Sequence, residues 1–166
     1  IPTLFFDYEW TWISPVGDWG IKLGTGLFTS SGSGKFKIDN PARAGKEPSE
    51  SFTFFMLPNT AGVSYKLRFS DTQVIIPYAE GGAGYFTFGE IRDDGKPPRF
   101  GGAPVAYATG GVLLALDWLD RQAIRNLDRE NGINHVFFTG AYQYVKGLSE
   151  SFDFTSSVIQ AGITME

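Results

Sequence analysis

Apolar and polar residues alternate along much of this chain with the period of two that marks a β-strand facing two unlike surroundings. From Phe6 onward, Phe6, Tyr8, Trp10 and Trp12 share one face, and Asp7, Glu9 and Thr11 the other. Ser14-Pro15-Val16-Gly17-Asp18 reads as a turn, because proline and glycine supply its bend. A second strand over residues 19–28 sets Trp19, Ile21, Leu23 and Leu27, interrupted by Thr25, against Gly20, Lys22, Gly24 and Gly26. Residues 29–50 hold Ser-Gly-Ser-Gly, Asn40-Pro41 and Glu47-Pro48, and read as a long connection.

Residues 51–69 suggest a hairpin. One arm is 51–57, the turn is Pro58-Asn59-Thr60-Ala61-Gly62, and the return arm alternates Val63, Tyr65, Leu67 and Phe69 with Ser64, Lys66 and Arg68. Residues 73–91 are long for one strand, so an end beyond the apolar zone or a bend at Pro77 or Gly81-Gly82-Ala83-Gly84 is expected. Glu80 counts onto the face of Ile76, Tyr78, Phe86 and Phe88, which calls for a position outside that zone or a glycine bulge. A polar loop over residues 92–102 leads to a strand at 103–116 with poor alternation and Pro104 near its start.

The spacing predicts one amphipathic helix at 117–130, between the sixth and seventh strands. Asp117 is its candidate cap, Leu119, Ala123, Ile124 and Leu127 its apolar stripe, and Gly132 its stop. Strands at 135–145 and 151–166 complete a set of eight.

Composition sharpens this picture. The 166 residues fit a single domain, 16% aromatic and 19% charged, with 21 glycines; soluble domains carry charge on about a quarter of their residues. A formal charge of -4 gives no electrostatic footprint for nucleic acid. The absence of cysteine excludes disulfides, thiolate metal sites and a cysteine nucleophile. No apolar run reaches the length of a membrane-spanning helix; the uncharged stretch 101–116 is too short. A chain of this kind crosses a bilayer only as a closed barrel, since lipid does not tolerate open sheet edges. A soluble β-barrel or sandwich binding module is the alternative for the same pattern.

The run Gln160-Ala161-Gly162-Ile163-Thr164-Met165-Glu166 resembles the closing-strand signal of bacterial outer-membrane β-barrels: a polar residue, glycine, then spaced apolar residues. The terminal aromatic usual in that signal does not follow Met165. The resemblance implies an all-β, antiparallel up-and-down transmembrane barrel of the small eight-stranded type, located in the bacterial outer membrane among its lipids and read by the barrel-insertion machinery. It also puts residues 29–50 and the helix on the periplasmic side. There they become the expected contacts for a periplasmic or membrane protein partner, with Trp118, Arg121, Arg125 and Arg129 as the helical contact surface.

Chemistry is sparse. The single histidine, His135, has Phe137 as its next same-face neighbour, and Ser149 or Ser151 could approach it only through tertiary folding. Asp93-Asp94 lacks EF-hand spacing, and no phosphate loop is present. No catalytic residue, metal or cofactor is expected. Asp7, Glu9, Lys22, Lys66 and Arg68 all lie opposite apolar neighbours, which predicts a polar network of ion pairs inside the barrel. The functional expectation is a structural or partner-binding envelope protein, as subunit or anchor of an assembly. A lipid-modifying enzyme is the alternative of a different class.

Overall fold

The computed structural model describes residues 3–14, 16–33, 51–70, 72–92, 97–117, 129–150 and 152–166. These form seven strands in one sheet: β1 (Thr3–Ser14), β2 (Gly17–Ser33), β3 (Ser51–Lys66), β4 (Ile75–Arg92), β5 (Arg99–Ala115), β6 (Val136–Gly147) and β7 (Ser156–Met165). Every neighbour in sequence is an antiparallel neighbour in space, and the sheet curls into a half-barrel with charged and apolar side chains packed on its concave side. Helix among the described residues is confined to 129–131. Residues 118–128, and with them most of the expected helix, lie outside the described residues, as do residues 34–50 of the long connection. Residues 29–33 of that connection belong to β2, and residues 99–102 of the expected polar loop belong to β5.

The expected hairpin at 51–69 is a single strand, so the described strands number seven. Three features explain the difference. β4 is 18 residues long and pairs with β3 from Phe52↔Arg92 to Lys66↔Tyr78 without a break. A turn at residues 58–62 would leave half of that partner unpaired. Pro58 has no N–H to give, and the β2–β3 ladder omits its pairing with Gly26 while keeping one register on both sides of the gap. Gly26 supplies the room, because a Cβ there would stand 2.9 Å from the Pro58 ring and 2.8 Å from the Leu4 carbonyl oxygen. The actual turn comes later. Gln73 fastens it through its side-chain amide, which donates to the carbonyls of Leu67 (3.0 Å) and Ile75 (2.7 Å) and accepts from the Phe69 N–H (2.9 Å).

β4 neither bends out of register at Pro77 nor bulges at its glycines, because its pairing with β5 is also continuous. Ile76, Glu80 and Phe86 are therefore all buried on the concave side. The turn between β1 and β2 is tight: Gly17 takes φ +128°, a backbone conformation that a Cβ would strain.

Two apolar clusters form the core. Phe86, Val105, Tyr107 and Val145 pack with Met56 and Phe154, and Ile76, Leu113 and Phe137 pack with Tyr78 and Ala115. A run of rings continues the first cluster towards the β2–β3 end of the sheet. Phe54 stacks on Phe88 at 5.9 Å, and Phe88 meets Phe152 and Phe154 from the segment before β7. The concave side is thus aromatic at one end and charged at the other.

Candidate functional site

The charged end is built by strict alternation. Pairing of β1 with β2 sets Glu9 opposite Lys22 and Asp7 opposite Gly24, which turns all these positions to one face. The five residues singled out as a charged network fall into two ion-paired groups, Asp7 with Lys22 in one, and Glu9 with Lys66 and, through Glu166, Arg68 in the other. Lys22 Nζ lies 3.1 Å from Asp7 and 2.8 Å from Glu80. Lys66 Nζ lies 2.9 Å from Glu9 and 2.5 Å from Glu166. Arg68 Nε is 3.1 Å from Asp18, and its Nη2 reaches Glu166. The Arg68 guanidinium also sits 5.6 Å from the centre of the Phe137 ring.

Hydroxyls and amides complete the acceptors. Tyr107 donates to Glu80 at 2.7 Å, and the Ser64 hydroxyl donates to Glu9. Further along the concave side, the Gln160 amide donates to Gln143, which donates to Thr109. Glycines leave room for these crossings. A Cβ at Gly20 would meet Ser64 Oγ at 2.6 Å, and one at Gly62 would meet the Gly81 carbonyl oxygen at the same distance.

Burial makes the pairing necessary. Lys66 is 3% exposed and Glu80 8% exposed, and an unpaired charge at that depth would be strongly unfavourable. Burial by itself pushes the Glu166 carboxyl up, but the ammonium of Lys66 and then the guanidinium of Arg68 outweigh it, so the group ionises below its usual range.

Sequence reasoning missed Asp18, Ser64, Glu80, Tyr107 and Glu166. Glu80 carried a usable signal, since strict counting already set it on the face of Ile76 and Phe86. Lys66 and Arg68 required more positive charge to be matched than Asp7 and Glu9 supply once Lys22 is included.

The enclosed space is small. Phe5, Asp7, Lys22, Thr60, Tyr107 and Gln160 are among the side chains around a cavity of about 20 Å³, and all seven strands contribute to its wall. That volume holds about one water molecule.

His135 has a different setting from the one its neighbours in sequence suggested. Its Nδ1 lies 2.6 Å from Asp117 Oδ2, and the same carboxylate accepts the Val136 N–H at 3.1 Å. The carboxylate of Asp117 is therefore turned to the start of β6. Ser70 borders the same recess, but its hydroxyl is bonded to Thr72 Oγ1 at 3.0 Å. Nucleophilic catalysis needs the hydroxyl on the imidazole instead. Among the described residues, no group of three or more His, Asp or Glu is arranged to hold a metal ion.

Of the expected helical contact surface, Arg129 is described and exposed, whereas Trp118, Arg121 and Arg125 lie outside the described residues. No helix among the described residues is long and apolar enough to cross a membrane, which leaves β-barrels unaddressed. Comparison with protein families, curated proteins and solved structures finds no match to this chain.

Proposed function

We propose that this chain is a membrane-embedded β-barrel of the bacterial outer-membrane type, acting as a structural scaffold or partner-binding anchor. The observation that carries the reading is the inverted distribution of side chains. Ion pairs lie on the concave side, while the convex side presents Tyr8, Trp10 and Trp12 of β1, and Trp19, Ile21 and Leu23 of β2. Val112 and Leu114 of β5, Tyr142 and Tyr144 of β6, and Ile159 and Ile163 of β7 continue that surface. Water-soluble monomers rarely leave apolar patches of more than a few hundred Å² uncovered, whereas lipid favours such a coat.

Strand length agrees. The strands run from 10 to 18 residues, against about 9–11 for a tilted membrane strand. A filled interior suits anchoring rather than solute transport, and recognition then falls to the connections between strands.

The test is reconstitution into vesicles of brominated phosphatidylcholine. Trp10, Trp12 and Trp19 face outward, so strong quenching of their fluorescence and flotation with the vesicles after an alkaline wash are expected. A monomer that stays in the aqueous phase without detergent, with unquenched tryptophans, would falsify the membrane reading. Turnover of labelled outer-membrane lipids, lost in His135→Ala, would replace the scaffold with an enzyme.

A further inference from the structure

β1 and β7 end the sheet, and no backbone hydrogen bond joins them among the described residues. Strand direction alternates, so these two odd-numbered strands run the same way. A single strand between them would be antiparallel to both and would continue the pattern of every other pair. Across the opening, side chains already meet. Phe5 and Asp7 of β1 and Gln160 of β7 border the same small cavity, and Lys66 holds both Glu9 of β1 and Glu166 just past β7. Side chains bridge the opening, but among the described residues the backbones leave two unpaired edges.

The chemistry of the two edges is informative. Outward, β1 presents Tyr8 and Trp10 and β7 presents Ile159 and Ile163, and Ile159 is 86% exposed. Inward, among the described residues, the carboxylates of Asp7, Glu9, Asp18, Glu80 and Glu166 outnumber their partners Lys22, Lys66 and Arg68. Asp7 stands on the open edge with 40% of its side chain exposed, and it shares Lys22 with Glu80.

We infer that the seam between β1 and β7 receives one extended β-strand of a separate polypeptide, antiparallel to both edges. It is apolar at outward positions and carries Lys or Arg at the inward position level with Asp7. This inference rests on the membrane reading, because hydrocarbon is what forbids unpaired edge N–H and C=O groups. Direct joining of β1 to β7 would instead make a parallel pair, alone among antiparallel ones. Joining two copies edge to edge would pull apart the interior that Lys66 now draws together across β1, β3 and the end of β7.

The absence of native cysteine gives a clean test in the full chain, refolded into phosphatidylcholine vesicles. A synthetic peptide of about ten residues, the length of a membrane strand, would alternate leucine and threonine, with one inward lysine and one outward cysteine. It should form a disulfide with Tyr8→Cys and with Ile159→Cys. The double variant without peptide should form none, since strands two places apart are separated by about 9.6 Å and disulfides need Cα atoms within about 7 Å. Changing the peptide's lysine to glutamate should weaken its capture about tenfold or more.

An internal disulfide in the double variant would show direct closure, and a disulfide between two copies would show a dimeric seam. Either result, or a peptide that links to neither edge, overturns the inference. Flotation of the same variants reads the membrane question separately: floating vesicles with an internal disulfide sink the seam strand alone, whereas failure to float removes the premise of both.

Discussion

Lys66→Met probes the charged interior most directly. The lysine side chain is 4% exposed, and its ammonium holds Glu9 and Glu166, whose side chains are 18% and 22% exposed. Methionine keeps most of the volume but leaves two carboxylates facing each other across the vacated position. Removing one partner of a buried ion pair destabilises by about 3–5 kcal/mol. Arg68 continues to hold Glu166, so the lower end applies: about 3 kcal/mol, or on the order of a hundredfold in the unfolding equilibrium. Urea unfolding in detergent micelles, followed by the fluorescence of the four tryptophans, measures it. The double variant Glu9→Gln/Lys66→Met should recover about 1–2 kcal/mol, because it removes the orphaned acid as well. Losses below about 1 kcal/mol in both variants, as found for exposed ion pairs, would refute the reasoning.

Three further outcomes follow from the same geometry. The Glu166 carboxyl ionises below its unfolded value, so its contribution is fully present above about pH 4.3 and is lost as pH falls through the lower folded value. Stability measured from pH 6 to pH 3 should therefore drop more steeply in the parent chain than in Glu166→Gln; equal slopes would disprove it. Gly82→Ala should destabilise by about 1–3 kcal/mol, because its new methyl group would meet the Ala61 carbonyl oxygen and stand 2.6 Å from the Gly62 Cα on β3. Unfolding in micelles reads this, and a neutral result would mean that β3 and β4 separate freely. Leu23→Arg, on the outward side of β2, should cost about 2–4 kcal/mol in a bilayer if it lies near the midplane. In water an exposed substitution stays within about 0.5 kcal/mol, so a silent Leu23→Arg in vesicles would place that face outside the lipid.

The alternation of β1 and β2 was legible because each strand has one wet side and one apolar side. Tyr8 against Glu9 and Ile21 against Lys22 leave little ambiguity about facing. β3 was misread because Pro58, Asn59 and Gly62 are turn-forming residues by local chemistry, whereas an 18-residue neighbour imposes extension on them. Strand length is a tertiary constraint, and no window of ten residues contains it. β4 misled for another reason: its concave side carries Ile76 and Phe86 as well as Glu80, so apolar did not mean outward there. Glu166 could not be assigned from the chain because its partners Lys66 and Arg68 are about a hundred positions away, at |i−j| of 100 and 98. The pairing of His135 with Asp117 was hidden in the same way, by a connection whose middle lies outside the described residues.

The ion network also supplies what an alternating sheet otherwise lacks, which is a strong preference for one facing. Gly20, Gly24 and Gly26 give β2 few large side chains on the concave side, so packing there holds its register weakly. A slip of one residue between β1 and β2 would remove Lys22 from opposite Glu9. If the slip turned β2 over, it would also send the ammonium into the apolar coat and bring Ile21 and Leu23 against carboxylates. In lipid both changes are unfavourable at once, because the charge loses its partners and enters hydrocarbon. The few interior charges therefore act as register pins, each joining strands that are not neighbours: Lys22 ties β1 to β2 and β4, and Lys66 ties β1 to β3 and the end of β7. Such pins explain why a narrow sheet with so many glycines retains costly buried ions.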